Sequence, residues 1–166
     1  MNDPALQHRR FGKYLLIEVL GKGANAHVFR AVQSGAMGFR KEVAVKQILP
    51  HVAGKESVVH GLINEARISG YLRHRNVVEV YEFDQVDDTY YLAMEYVPGF
   101  PLSAILGRSH RRSTPLPPSM IAAIAAQMCD GLHCAHGACD ENGRHLGMVH
   151  RDIKPGNVMR RPDGSL

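Results

Sequence analysis

Tryptophan is absent from this chain of 166 residues, cysteine occurs three times, and no long apolar run breaks the polar background. Each shortage excludes something. Three cysteines cannot all pair internally, so a disulfide-stapled secreted scaffold is excluded and reduced thiols are expected. The longest apolar stretch, residues 120–129, is alanine-rich and too short to span a bilayer, so no membrane segment is expected within the chain. Residues 1–10 are polar and precede no long apolar run; they read as a tail rather than a secretory signal, and the chain as cytoplasmic, with a membrane anchor of the full-length protein in further C-terminal sequence as the alternative. No repeat period and no low-complexity tract occurs, which removes solenoid, collagen-like and disordered classes.

What remains is a globular composition, with 45% hydrophobic residues available for a core. The 20 Lys+Arg outnumber the 16 Asp+Glu, a formal net charge of +4. Apart from His8-Arg9-Arg10 and the cluster at residues 108–112, the positive charges are scattered, without a stripe or an aromatic stacking platform. A solvated basic surface is therefore expected, and nucleic-acid binding is not.

The pattern changes along the chain. Residues 14–20, 28–32 and 42–48 alternate with period two and predict three strands joined by glycine-bearing turns. Val58, Leu62, Glu65, Ser69 and Leu72 recur at spacings of four and three, one face of a helix. Residues 77–83 and 90–96 predict two more strands around the acidic turn Asp87-Asp88, and Pro98-Gly99-Phe100-Pro101 reads as a linker. Helical segments dominate from there to His136.

Three features carry chemistry. Gly21-Lys22-Gly23-Ala24-Asn25-Ala26 is weak evidence alone, but the alternating residues after it make it a strand-turn-strand loop and not the opening of a helix. Such a loop can lay backbone N–H groups over phosphates, or be a plain glycine hairpin. In Val43-Ala44-Val45-Lys46 the period-two geometry puts Lys46 on the face of Ala44 and Ile48, a cation among apolar neighbours. By itself it reads equally as a snorkelling edge lysine. Glu65, on the inward stripe of its helix, is the candidate partner, since an inward carboxylate is costly unless paired. The strongest motif is His150-Arg151-Asp152-Ile153-Lys154-Pro155-Gly156-Asn157, where proline and glycine forbid a regular helix and Asp152, Lys154 and Asn157 project from a loop. An acid for a hydroxyl, a cation for a phosphoryl group and an amide oxygen for a metal form a coherent set.

In these motifs, their order and the secondary matches Leu72-Arg73-His74-Arg75-Asn76 and Met94-Glu95-Tyr96-Val97, the chain resembles the eukaryotic-like Ser/Thr protein kinases, in spelling the bacterial members. The resemblance implies an α+β protein-kinase-like fold: a five-stranded antiparallel N-lobe with one main helix, then the start of a helical C-lobe. It implies a tail at residues 1–10, an ATP-binding N-lobe at 11–97, and hinge plus incomplete C-lobe at 98–166. ATP would lie under Gly21, Lys22, Gly23, Ala24 and Ala26, with Val28 and Ala44 against adenine, Met94 as gatekeeper, and Glu95 and Val97 offering backbone groups. Lys46 would hold phosphates and pair with Glu65. Asp152 would be the catalytic base, Lys154 would steady the γ-phosphate, and Asn157 would bind Mg²⁺. Lys154 two residues after Asp152 resembles the Ser/Thr class, so the implied partner is a protein Ser/Thr hydroxyl, with self-phosphorylation of the full-length protein included.

Ala26 replaces a third glycine, and the connection between His136 and His150 is longer than the family's, with a surface hairpin expected at Asn142-Gly143. Pro162-Asp163-Gly164 predicts a turn, with Leu166 starting a return strand. No Asp-Phe-Gly or Ala-Pro-Glu occurs. The chain therefore reads as a kinase fragment not expected to transfer phosphate alone, with its α-helix at residues 118–136 short of packing partners. The alternatives are a truncated nucleotide-binding pseudokinase module and a small-molecule phosphotransferase. Cys129, His133 and His136 share a helical face, but without a fourth ligand in register they read as ordinary packing.

Overall fold

The period-two runs become strands of one antiparallel sheet in the computed structural model, which describes residues 8–53, 63, 66 and 69–166. The strands are β1 (Arg9–Phe11), β2 (Tyr14–Lys22), β3 (Ala26–Ser34), β4 (Arg40–Ile48), β5 (Val80–Val86) and β6 (Thr89–Glu95), in the order β1-β2-β3-β4-β6-β5. All five expected strands are present. The sixth, β1, pairs with β2 from Arg9↔Leu16 to Phe11↔Tyr14; it lies at the edge of the expected tail and, at three residues, is too short to display a period. β5 begins at Val80 and not at Val77, because the Val77 N–H turns back to the His74 carbonyl. Asp87 and Asp88 both have positive φ between Val86 and Thr89, the two-residue loop that matches strand twist.

The expected helix over 58–72 falls mostly outside the described residues, Val58, Leu62 and Glu65 included. Ile63, Ala66 and Ser69 are helical, and Leu72 lies past the helix end as a buried residue. A short helix α1 (Pro50–Ala53) follows β4.

One sheet face buries Phe11, Tyr14, Leu16, Phe29, Val43, Val45 and Tyr91. Each such side chain contributes on the order of 1.5–3 kcal/mol by leaving water. The Tyr91 ring meets Phe11 and Tyr14 edge-on, with centroids 5.3 and 5.7 Å away. Two phenols in an apolar cluster need acceptors, and one carboxylate serves both: Tyr14 and Tyr91 donate to Glu82 Oε1 at 2.7 and 2.6 Å, while Lys13 pairs with Oε2. Burial raises the Glu82 pKa, but the hydrogen bonds from Lys13, Tyr91 and Tyr14 together outweigh it and hold the carboxyl below its ordinary value.

The chain divides into two units: residues 1–70 with 79–96, and residues 71–78 with 97–166. The second unit holds β7 (Phe100–Pro101), α2 (Leu102–Arg111), α3 (Pro118–His136) and β8 (Met159–Arg160). The expected linker thus contains a strand, since β7 pairs with β8. Gly99, at φ +152°, makes that pairing possible, because a Cβ there would overlap the Arg160 carbonyl. Pro118 opens α3 at a position where its missing N–H costs nothing. Ile124 and Gly131 are its buried residues; a Cβ on Gly131 would stand 2.9 Å from the Asn76 carbonyl. Between them Gln127 Oε1 accepts from Asn76 Nδ2 and from the Leu166 N–H.

Two expectations change here and a third is met. Leu166 begins no strand, because its N–H is taken by Gln127, although the turn before it forms, closed by Arg161 N–H to Ser165 O at 2.8 Å. Cys129, His133 and His136 are exposed and not packed, and among the described residues no group of three or more metal-ligating side chains gathers. The surface hairpin is there, with Cys139 bridged to His145 and Asp140 accepting from the Asn142 and Arg144 N–H groups. No helix among the described residues is long and apolar enough to cross a membrane.

Replacing Tyr91 by Phe leaves the ring and removes a hydrogen bond to a charged group, so stability at pH 7 should fall by about 1.5–3 kcal/mol. Because the Glu82 pKa is lowered, its contribution is complete above the ordinary carboxyl value and is lost as pH falls through the depressed one. Urea unfolding of both proteins should show the gap closing below about pH 4.

Candidate active site

The register of β4 between β3 and β6 places the expected residues in rows. Lys46 lies opposite Val28 on one side and Leu92 on the other, and Val28 in turn lies opposite Gly21. Cross-strand partners share a face, so Gly21, Val28, Lys46 and Leu92 form one row. Ala44 and Met94 are partners in the row beside it. This face is opposite to the aromatic core, because Val43 and Val45 point the other way.

Lys46 is half-buried between the buried Ala44 and Ile48, as alternation implied. Among the described residues no carboxylate pairs with its ammonium group, and the expected partner Glu65 lies outside them. Leu92 is a lining residue the sequence reading missed; counting back two positions from Met94 along the strand finds it.

The turn between β2 and β3 is closed by the Gly23 N–H donating to the Ala26 carbonyl at 2.9 Å, and Asn25 O accepts from the Leu49 N–H. Lys22, Gly23, Ala24 and Asn25 are exposed. A Cβ on Gly21 would meet nothing within 4 Å, so the glycine leaves bare backbone over open space. That is the property a phosphate-covering strand needs. Ala26 is already paired with Ile48 in the ladder and acts as a strand residue. The Glu95 N–H donates to the Glu79 carbonyl, so what Glu95 can offer a ligand is its carbonyl. The Val97 N–H has no backbone acceptor among the described residues.

In the second unit, Asp152, Lys154 and Asn157 come together in one loop. Pro155–Asn157 form a single tight helical turn that brings Asn157 back, with its N–H on the Lys154 carbonyl at 2.9 Å. Asn157 Nδ2 then donates to both the Asp152 carbonyl and Asp152 Oδ2, each at 2.9 Å, and Lys154 Nζ reaches the same Oδ2 at 2.8 Å. Both side-chain donors converge on one oxygen. Among the described residues Oδ1 accepts no hydrogen bond and remains open to a hydroxyl. Hydrogen bonds from Lys154 and then Asn157 lower the Asp152 pKa, so the carboxylate is ionised at neutral pH. With Nδ2 committed, the free polar atom of Asn157 is Oδ1, the hard oxygen donor that Mg²⁺ takes.

Arg151 has φ +59°, a left-handed conformation that costs a non-glycine residue about 1 kcal/mol or more. The turn is held by the Asp152 N–H, which donates to the His150 carbonyl at 2.8 Å and lies 3.3 Å from His150 Nδ1. Nothing in the residue types signals this strain; it follows from aiming Asp152.

Comparison with known proteins shows the family to which the chain belongs. The model of the protein kinase domain matches residues 14–166. The chain is 34% identical to the tyrosine-protein kinase MasK of Myxococcus xanthus, over 94% of this chain and 24% of that protein. It is 32% identical to the serine/threonine-protein kinase PksC of Streptomyces coelicolor, over 92% of this chain and 26% of that one. The chain spans about a quarter of the length of these curated relatives. Among solved structures, the PknI kinase domain of Mycobacterium tuberculosis superposes with a TM-score of 0.73 at 25% identity, covering 92% of this chain and 56% of that domain.

Removing the Lys154 ammonium by Lys154→Met takes away the largest influence holding Asp152 ionised. The Asp152 pKa should rise toward the ordinary value of about 3.9. A carboxyl-carbon NMR titration of both proteins reads the change, and Lys13→Met should leave it unmoved.

Proposed function

The chain belongs to the protein kinase domain family, and we propose that it serves an ATP-dependent protein serine/threonine kinase, transferring the γ-phosphoryl group of ATP to a Ser or Thr hydroxyl. The observation that carries this reading is the Asp152 carboxylate, fixed through Oδ2 by Lys154 and Asn157 and open at Oδ1. A hydroxyl donating to Oδ1 is oriented toward phosphorus as a nucleophile. Its oxygen bonds to the γ-phosphorus, the bond to the bridging oxygen breaks toward ADP, and the hydroxyl proton passes to Asp152. Such a transition state is loose, so orientation and charge matter more than basicity. A carboxylate with a lowered pKa suits that task.

In the first unit, Lys46 would neutralise the α- and β-phosphates, with Glu65 holding its ammonium group in place. Gly21, Lys22, Gly23, Ala24 and Ala26 would cover the phosphates, and Val28, Ala44 and Met94 would line the adenine site, with the Glu95 carbonyl and the Val97 N–H as its polar contacts. Lys154 would bear on the γ-phosphate as well as on Asp152. Asn157 Oδ1 would be the protein's oxygen for Mg²⁺, the phosphate oxygens and water supplying the rest. When bound, the ion screens the phosphate charge. Residues 11–97 are the nucleotide-handling region in this reading and residues 98–166 hold the hinge and catalytic loop. Protein substrates, the full-length protein itself included, would be met in the cytoplasm.

The test is phosphoryl transfer from labelled ATP by the reading frame that encodes this chain, followed by phosphoamino-acid analysis. Phosphoserine and phosphothreonine are expected. Phosphotyrosine alone would overturn the hydroxyl class and favour the activity named for the Myxococcus relative. Asp152→Asn should slow transfer by about 10²–10⁴-fold with ATP affinity little changed. Lys46→Met should weaken ATP binding as read by calorimetry.

A further inference from the structure

The positive charge of this protein is not evenly shared. Of the 20 Lys and Arg residues ten belong to the second unit, but only five of the 16 Asp and Glu do, so the first unit is close to neutral and the second is basic. Within the second unit the charge is concentrated further. No carboxylate occurs in the sequence between Glu95 and Asp130, and in that interval α2 ends in Arg108, His110 and Arg111, followed by Arg112. All four are exposed, and among the described residues none of the three arginines forms an ion pair.

The helix end explains why these side chains remain available. Carbonyls at a helix C-terminus attract cations and can absorb their hydrogen bonds. Here the backbone uses them first: the N–H groups of Arg112, Ser113 and Thr114 donate to the carbonyls of Arg108, His110 and Ser109 at 3.1, 3.0 and 3.1 Å. Ser109 Oγ donates to the Thr114 carbonyl and ties the following loop down. The capped end keeps the dipole's stabilising field without occupying the guanidinium donors. Arg108 and Arg111 stand at i and i+3 on one face of α2 and Arg112 is its C-cap, three planar forks at one helix end that match carboxylates in pairs.

We propose that this C-terminal end of α2 is a docking surface for an acidic segment of the protein substrate. Calling the guest a substrate rests on the phosphoryl-transfer reading; the docking itself does not. A peptide is favoured over other anions by composition. Residues 101–129 contain no Phe, Tyr or Trp on which a run of bases could stack or with which a membrane interface could be entered, and three arginines gathered at one helix end match a few carboxylates, not a nucleic-acid backbone.

The experiment is fluorescence anisotropy of the chain with a labelled peptide carrying one serine among glutamates, against the same peptide with glutamines, without ATP. The acidic peptide should bind at least about tenfold more tightly at low salt, and the advantage should collapse by about 0.3 M salt. Arg108→Gln, Arg111→Gln and Arg112→Gln together should remove that advantage with the circular dichroism unchanged, while Arg40→Gln in the first unit leaves it intact. If the triple variant unfolds, Arg112→Gln alone, outside the helix, should still weaken binding about threefold. Equal binding of the two peptides, or undiminished binding by the arginine variants, overturns the proposal. So does tighter arginine-dependent binding to phosphatidylglycerol vesicles or an RNA oligomer than to the acidic peptide. Acidic-peptide binding in a protein whose reading frame transfers no phosphate overturns the transfer reading and leaves the docking surface standing.

Discussion

A one-residue slip of β4 against β3 and β6 would exchange the two sides of the sheet, placing Lys46 in the aromatic core and Val45 in its row with Val28 and Leu92. The register is held because Val43 and Val45 are fully buried with Phe29, Tyr14 and Tyr91, and a lysine cannot replace them there. The same packing that stabilises the first unit therefore orients its cation. Apolar burial on one face is what makes the other face chemically specific.

The polar groups inside that core follow a second constraint. Tyr14 and Tyr91 are each 2% exposed, and their hydroxyls would be costly without an acceptor; Glu82 satisfies both, and Lys13 balances its charge. The network ties β2 to the β5–β6 hairpin, which lies far along the chain from it. In the second unit the corresponding role is played by close approach of backbone: Gly131 lets the Asn76 segment lie on α3, and Gly99 lets β7 meet β8. The geometry around Asp152 then follows from one tight turn at Pro155–Asn157, which gathers two donors on one oxygen of its carboxylate.

Much of this was legible beforehand, for identifiable reasons. Alternation disclosed five strands because one sheet face is solidly apolar, and the spelling around Asp152 disclosed the loop because proline and glycine leave no regular alternative. β1 was not legible, being three residues long, and the strand inside Pro98–Pro101 was hidden because its partner lies some sixty residues on. Cys129, His133 and His136 share a helical face as their spacing said, yet that face is exposed. Spacing defines a face and not what covers it.

By itself, then, the sequence determined the local matters: which residues alternate, where the chain must turn, which side chains could handle a phosphate and a hydroxyl, and the family these imply. Tertiary structure alone decided that Leu92 flanks Lys46, that both donors reach Oδ2 and leave Oδ1 open, that Arg151 carries the strain of aiming Asp152, and that one carboxylate serves two tyrosines. The division has a physical cause. Periodicity and turn chemistry act over a few residues and are written in residue order, whereas register, hydrogen-bond choice and exposure are set by partners that only folding brings near.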